Sequence, residues 1–386
     1  MKKYLLFSLC FLLLANLLTG CWDKRELNTL AIVQAIGIDL TEDGLVSLSV
    51  QILKPSELKG GGGKAVWVVT STGETIFDAI RNASLQTDRR LFHPHNKVIV
   101  VGEETAKKGL KPLLDFLTRD AESRGLTYVF VAKGKALDIL KGEHEQEKNP
   151  AQALEHLADT SGLASNLPKR TLKDLFMVLG SKTSSPVLPG LKILTKNDEG
   201  TTKKMLVLDN TAVFKHDQLV GWFTHEESRG VLWVLNEVHT GTIVVNSPLA
   251  EDKYVSLEIS QTATRLKPEI TENKLSITIE VKEEGNLGEQ MSDVNLTTPE
   301  NFSELEKRQT AAIRDDIMTA VTKAQAWGVD LFGFGEEFHR QYPQEWPELE
   351  KEWDTLFPEI EVNLEVSAHL IRAGLTSTPL KSEPTE

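Results

Sequence analysis

The sequence of 386 residues carries a formal net charge of −13 at pH 7, and hydrophobic residues occupy 40% of its positions. This length and composition predict a globular protein of two or three domains. Because the negative charge repels phosphate backbones, no nucleic-acid partner is expected.

The first 20 residues have the layout of a bacterial secretory signal. Lys2 and Lys3 precede an apolar segment from Tyr4 to Leu18, which is shorter than the roughly 20 residues that a membrane-spanning helix needs. We therefore expect residues 1–20 to direct export and then to be removed. The alternatives are an ordinary cleaved signal without lipid and an uncleaved anchor. No later apolar segment is long enough to span a bilayer.

Cys21 is the candidate site of lipid attachment. Leu18-Thr19-Gly20-Cys21 has the form of a lipobox, in which an aliphatic residue and two small residues precede the cysteine. Cleavage after Gly20 makes Cys21 the new N-terminus, with a diacylglyceryl thioether on its thiol and an acyl group on its amine. Two acyl chains bind a membrane stably, whereas one binds only reversibly. Since Cys10 leaves with the signal, no intramolecular disulfide is expected.

Residues 21–140 are predicted to form an N-terminal mixed α/β domain. Apolar and polar residues alternate from Val46 to Ile52, and turn residues at 41–44 link this segment to another apolar run at Ala31–Asp39. This pattern predicts a β-hairpin. Further strands are expected at Val66–Val69, Lys97–Val101 and Tyr128–Ala132.

Helices are expected between these strands. Ser71 to Glu74 has the pattern of a capping box that opens one helix, and Pro112 is expected to kink or split another from Glu103 to Asp120. Residues 141–200 have little strand signal and carry proline-bearing polar segments. We interpret them as a small, mainly helical intermediate subdomain or a linker.

Residues 201–375 are predicted to form a C-terminal α+β domain. Thr298-Pro299 supplies an N-cap and a first-position proline for a long helix that ends before Gly328. The other elements of this domain are a hairpin of Met205–Lys215 with Gln218–Phe223, a helix over His225–Val238, and strands at Thr242–Val245, Val255–Gln261, Leu275–Val281 and Ile360–Leu370.

The elements together predict an α+β fold of several domains, most simply three, with mixed or antiparallel sheets each packed with helices. The tail at residues 376–386 is polar and proline-bearing, which is typical of a disordered segment.

Candidate catalytic and metal-binding motifs are incomplete. His93 and His95 are close in sequence but have no third ligand at short spacing, and His225 to Arg229 resembles a zinc-protease helix with arginine in place of the second histidine. Gly63-Lys64, Gly134-Lys135 and Gly333-Phe334-Gly335 lack the remaining residues of nucleotide-binding loops. We therefore predict no catalytic, cofactor-binding or metal-binding residues.

Two further groups of residues have competing interpretations. The acidic pairs Glu103-Glu104, Glu226-Glu227 and Asp315-Asp316 fit solvated faces better than acid–base pairs. Trp346, Trp353 and Phe357 are candidates for interface anchors, but we favour a role in packing the last helix against the body.

The residues after the lipobox resemble a known family. Gly20-Cys21-Trp22-Asp23-Lys24-Arg25-Glu26-Leu27 resembles the start of the Ger(x)C family, the C-subunit lipoproteins of nutrient germinant receptors in spore-forming bacteria. His93-Pro94-His95 departs from the pattern, where a single histidine is expected. Four later blocks extend the likeness over nearly the whole mature chain: Thr72–Ala79, Phe92–Gly102, Ala212–Lys215 with Leu219–Gly221, and Leu331–Glu336.

The resemblance implies three mixed α/β domains and a position on the outer face of the spore's inner membrane. It implies membrane-embedded A and B subunits as partners, and it supplies no catalytic residues, so only Cys21 is carried over, as the acyl anchor. Our leading hypothesis is thus a non-enzymatic receptor subunit. A solute-binding lipoprotein that serves a transporter is the alternative, and an extracytoplasmic hydrolase is the third.

Overall fold

The computed structural model describes residues 1–8, 26–58, 64–120, 122–198, 201–272 and 274–373. Within these ranges no helix is long and apolar enough to cross a bilayer. The chain forms a nine-stranded sheet and a four-stranded sheet, both packed with helices. This architecture confirms the predicted α+β fold class. Cys21 and the tail at 376–386 lie outside the described residues.

The first sheet is mixed. Its order is β3-β2-β1-β5-β6-β7-β8-β9, with β4 beside the start of β1. Strands β1, β5, β6 and β7 are parallel, and the strands at either side of them are antiparallel. The strands are β1 (Leu30–Leu40), β2 (Val46–Leu53), β3 (Val66–Gly73), β4 (Arg90–Phe92), β5 (Val98–Gly102), β6 (Tyr128–Ala132), β7 (Val187–Asp198), β8 (Thr201–Lys215) and β9 (Gln218–Phe223).

Helices cover both faces of the first sheet, because its parallel strands are apolar on both sides. Ile80, Leu114 and Leu175 bring three helices to one face, and Ile139 and Leu154 bring two to the other. The helices of this part are α1 (Pro55–Leu58), α2 (Ile76–Ser84), α3 (Glu103–Lys108), α4 (Lys111–Arg119), α5 (Ala136–Lys141), α6 (Pro150–Ser161) and α7 (Leu172–Gly180).

Most local predictions in this region are confirmed, including the β1–β2 hairpin and the split of the 103–120 helix around Pro112. The predicted capping box at Ser71 to Glu74 is wrong, because β3 continues to Gly73. Thr75 caps α2 instead, and its side chain accepts a hydrogen bond from the Asp78 N–H. The helix cap therefore lies four residues later than predicted, at Thr75 rather than Ser71.

Residues 141–223 are placed differently from the sequence-based interpretation. The described residues within 141–200 do not form a separate subdomain, because α6 and α7 pack on the two faces of the first sheet. The hairpin of β8 and β9, expected in the C-terminal domain, pairs with β7 and extends the first sheet to Phe223. Leu188 of β7 and Ala212 of β8 share a core with β1, and burial of these side chains fixes the strands there.

The second sheet has the order β10-β11-β12-β13. The first three strands are antiparallel as predicted, but β13 runs parallel to β12, so the sheet is mixed. The strands are β10 (Thr242–Ser247), β11 (Ala250–Thr271), β12 (Lys274–Gln290) and β13 (Glu361–Arg372). The helices are α8 (His225–Val234), α9 (Pro299–Trp327), α10 (Phe334–Gln341), α11 (Trp346–Leu349) and α12 (Trp353–Leu356).

Helix α9 is bounded as predicted, since the Thr298 side chain caps its start and Gly328 ends it with a left-handed φ of 62°. Helix α8 ends at Val234 rather than Val238. The two helices cross closely at Gly230, where a Cβ would lie 2.1 Å from the Asp316 carbonyl oxygen. Glycine is therefore required for this approach.

Replacing Gly230 by alanine should destabilise the protein. Overpacking at a close backbone contact costs about 1–3 kcal/mol, and here it should exceed the roughly 1 kcal/mol gain in helix propensity. Urea unfolding should give a lower free energy of unfolding for Gly230→Ala. The matched control is Gly180→Ala at the exposed end of α7, where nothing lies within 4 Å. An equal effect of both substitutions would contradict the proposed steric cause.

The buried carboxyl of Glu283 lies between the second sheet and helix α9. Glu283 of β12 is 1% exposed and Gln309 of α9 is fully buried. No hydrogen bond of normal geometry is made by either carboxyl oxygen or by either polar atom of the Gln309 amide. Burial raises the pKa of Glu283 to about 8, although the nearby Gln309 amide lowers it in part. The carboxyl is therefore protonated at neutral pH.

This burial predicts a pH-dependent stability. Because the folded-state pKa of Glu283 is raised, its contribution to stability is complete below about pH 4.5 and is lost as the pH rises through about 8. Relative to the wild type, Glu283→Gln should gain roughly 3 kcal/mol of stability between pH 5.5 and pH 8.5, at about 1.4 kcal/mol per pKa unit. Urea unfolding across this pH range measures the difference. Glu289→Gln on the exposed end of β12 is the control, and a pH-independent effect of Glu283→Gln would contradict the assignment.

Candidate functional site at the junction of the two sheets

An aromatic cluster lies where the last helices pack against the core of the second sheet. Trp346, Trp353 and Phe357 are 4%, 2% and 1% exposed. The Trp346 and Trp353 rings lie 5.4 Å apart, and Phe338 contacts Trp353 at 5.8 Å between ring centroids. These aromatics therefore fill the core, as we favoured, and are not exposed interface anchors.

Asp330 organises the loop that precedes this cluster. One carboxylate oxygen accepts hydrogen bonds from the N–H groups of Phe332 and Phe334, both at 3.1 Å. The other accepts from the Gly335 N–H at 2.9 Å and from the Trp353 indole at 3.2 Å. The carboxylate thereby fixes the turn that leads into α10 and joins it to α12.

The Asp330 carboxyl has an unusual pKa. It is 2% exposed, and burial raises its pKa to about 6, although the neighbouring backbone N–H donors oppose the shift. A raised folded-state pKa means that its contribution to stability is complete below about pH 4 and declines as the pH rises through 6. Above that pH the carboxyl is an anion, and it depends on its N–H donors because burial keeps water away from it.

The same loop binds residues 181–186, the segment between α7 and β7 of the first sheet, which we call the connector. The Ser185 N–H donates to the Asp330 carbonyl at 2.8 Å. The Ser181 hydroxyl donates to Glu336 at 2.7 Å, and Lys182 pairs with Glu350 at 2.8 Å. A Cβ on Gly335 would lie 2.5 Å from the Thr183 hydroxyl, so glycine permits the contact.

A groove of about 560 Å³ lies beside the connector. Arg170, just before α7, donates to Glu237 after α8 at 2.7 Å, and the arginine side chain is only 12% exposed. This ion pair joins the two halves of the chain across the groove. The apolar side chains that line it come from both halves and include Leu167, Leu175, Leu232, Leu235 and Leu331.

The histidine motifs of the sequence do not assemble a metal site. His93 is partly buried, and burial lowers its pKa, whereas His95 is exposed. Arg229, at the position where a zinc-protease helix needs its second histidine, binds Asp316 through two hydrogen bonds of 2.7 and 3.1 Å. Across the described ranges, no three His, Cys, Asp or Glu side chains are grouped to hold a metal ion.

The acidic pairs only partly form solvated faces. Glu104 and Asp315 are exposed, but Asp316 is 8% exposed and is bound by Arg229. Glu227 caps α8 and pairs with Lys323 of α9 at 2.7 Å. The expectation of a solvated face is therefore wrong for Asp316, because the close contact between α8 and α9 encloses its side chain.

Sequence reasoning missed the residues that form this junction. Arg170 and Glu237 are 67 residues apart and lie in no motif, so only the fold reveals the pair. Asp330 had one usable signal, a single acidic residue within the apolar run from Val329 to Phe332. A lone charge in such a run indicates a buried, hydrogen-bonded role.

Asp330→Asn should weaken the junction. An amide has one acceptor oxygen where the carboxylate has two, and its NH2 group faces N–H donors, so some donors lose their partner at a cost of about 1–3 kcal/mol each. We expect a lower free energy of unfolding at pH 7 and faster hydrogen exchange of the connector amides, including Ser185. Asp315→Asn on the exposed face of α9 is the control. Unchanged exchange in the connector would refute the role of Asp330.

Comparisons with known proteins agree with this architecture. The family model described as "Spore germination protein N-terminal domain" matches residues 23–193, and "Spore germination B3/ GerAC like, C-terminal" matches residues 209–374. The chain is 32% identical to spore germination protein KC of Bacillus subtilis (strain 168), with 99% of each chain covered. It is 28% identical to spore germination protein B3 of the same organism, with 97% of this chain and 99% of that protein covered.

A solved structure has the same fold. The crystal structure of the GerBC protein matches with a TM-score of 0.55 and 20% identity, over 87% of this chain and 96% of that chain. The first match ends within β7 and the second begins within β8, and each of the two matched parts contributes to the junction. The chain belongs to the GerAC-like family of spore germination proteins.

Proposed function

We propose that this protein is the membrane-tethered C-type subunit of a spore nutrient germinant receptor. In this proposal it acts without catalysis, by assembling with membrane-embedded A and B subunits on the outer face of the spore's inner membrane. The observation that carries the proposal is the similarity to spore germination protein KC over 99% of both chains. Similarity of that extent supports a shared role for the whole protein.

The tether in this proposal is lipid on Cys21. The Leu18-Thr19-Gly20-Cys21 motif follows a short apolar segment, and that order suits export, acylation and cleavage. Each buried methylene contributes about 0.8 kcal/mol, so two or three acyl chains hold the protein on a membrane without a spanning helix.

The junction suits a subunit that transmits a signal between partners. The Arg170–Glu237 ion pair, the connector and the Asp330 loop join the two sheets at separate points. Binding at one sheet can then affect the position of the other, because several contacts must change together.

A solute-binding lipoprotein is the second candidate, and the groove of about 560 Å³ between the two halves favours it. Small-molecule sites commonly have volumes of about 300–1,000 Å³ and lie between domains. Calorimetry with amino acids and sugars separates the two functions. Tight binding by the isolated protein would favour this candidate over the receptor subunit.

Cys21→Ala should abolish acylation, release the protein from the membrane fraction of spores and abolish or sharply slow germination in response to nutrients. Membrane fractionation, mass spectrometry of the N-terminus and germination assays measure these effects. Cys10→Ala is the matched control, because residue 10 leaves with the signal. Normal germination of the Cys21→Ala strain would refute the proposal.

The proposed assembly predicts that the full-length protein co-purifies from spore membranes with the A and B subunits. Crosslinking before detergent extraction preserves weak contacts. If spores that germinate normally yield the protein without either subunit, that result would contradict the assembly.

A further inference from the structure

One end of the first sheet collects three exposed loop segments, which we call the amino edge: residues 26–30, 85–90 and 122–127. Leu30 at the start of β1 pairs with Arg90 at the start of β4, and residues 122–127 lead into β6. Arg90 also lies 3.5 Å from Glu122, which connects two of the segments directly. Because the parallel strands all begin here, their preceding loops lie at the same end of the sheet.

The amino edge exposes large apolar side chains. Leu27, Leu85 and Leu126 are 75%, 85% and 78% exposed, and each belongs to a different segment of the edge. Among the described residues from 26 onward, these are the three most exposed large apolar side chains. A single exposed leucine is ordinary, but three on the segments that lead into β1, β4 and β6 each gain free energy on leaving water.

The charges of the two ends of this sheet differ. The amino edge carries Arg89, Arg90 and Arg124 against three carboxylates, so it is neutral within a chain of net charge −13. The opposite end consists of residues 41–45, 73–75, 103–104 and 133–135, which together carry five carboxylates against two lysines. An anionic surface would repel that opposite end and accept the amino edge.

The chain enters the fold at the amino edge. Leu27 is the sixth residue after Cys21, and an extended chain spans at most about 3.3–3.6 Å per residue, or roughly 20 Å in all. A lipid on Cys21 therefore holds this edge, and not the opposite one, close to the membrane.

We propose that the amino edge of the first sheet lies on the lipid bilayer, with Leu27, Leu85 and Leu126 inserted into the interface and the neighbouring arginines at the lipid phosphates. This inference rests on the proposed acylation of Cys21. Arginine suits the position because its apolar stem lies among acyl chains while the guanidinium stays at the headgroups. The acidic end of the sheet then points away from the bilayer.

The mature chain allows a direct test, because Cys10 is removed and acylation blocks Cys21, so that an introduced cysteine is the sole free thiol. Leu85→Cys and Leu126→Cys place a fluorescent label at the amino edge. Leu45→Cys, in the turn between β1 and β2, places it at the opposite end and is the control. The unsubstituted protein should take up no label.

The processed, acylated protein is reconstituted into phosphatidylglycerol and phosphatidylethanolamine vesicles that contain nitroxide-labelled lipid. We expect the lipid nitroxides to quench labels at positions 85 and 126 at least about twofold more than the label at position 45. If the protein floats with the vesicles but all three labels are quenched equally, the inference is overturned and the tether stands. If the protein fails to float with the vesicles, the tether and this inference both fail.

Discussion

The buried carboxylate of Asp330 is the constraint on which the junction of the two sheets depends. Four N–H donors converge on its two oxygens, and three of them come from the next five residues. A buried charge is costly unless hydrogen bonds replace its water. The loop can satisfy the carboxylate in few conformations, so the charge determines the loop, and the loop in turn positions the aromatic cluster and holds the connector.

Three acidic side chains in the part of the chain that forms the second sheet and its helices are buried in three different ways. Asp330 is held by N–H donors, and Asp316 is held by the guanidinium of Arg229. Glu283 has no hydrogen bond of normal geometry, and its pKa is raised to about 8, so it is buried as the neutral acid. Burial raises the pKa of all three groups, and the partners decide how far. Asp330 and Asp316 therefore have partners for a charged form, whereas Glu283 has none of normal geometry.

These features agree with the proposed role of a subunit that acts by assembly. The incomplete histidine motifs of the sequence resolve into structural contacts, since Arg229 joins α8 to α9 and His93 is partly buried at the start of the turn before β5. A lipid tether and a lipid-facing sheet edge would orient the first sheet on the membrane. The second sheet then takes its position from the connector, the Asp330 loop and the Arg170–Glu237 pair.

The sequence by itself determined most of the local elements and the family, and it predicts lipid attachment at Cys21. A period of two gave the β1–β2 hairpin, and Thr298 and Gly328 bounded α9, because these signals depend on residues close together in the chain. Only the tertiary structure decided that β8 and β9 join the first sheet, that β13 runs parallel to β12, and that Arg170 meets Glu237. Alternation shows which face of a strand is buried but not which strand lies beside it, and a partly buried ion pair between distant residues leaves no periodic pattern.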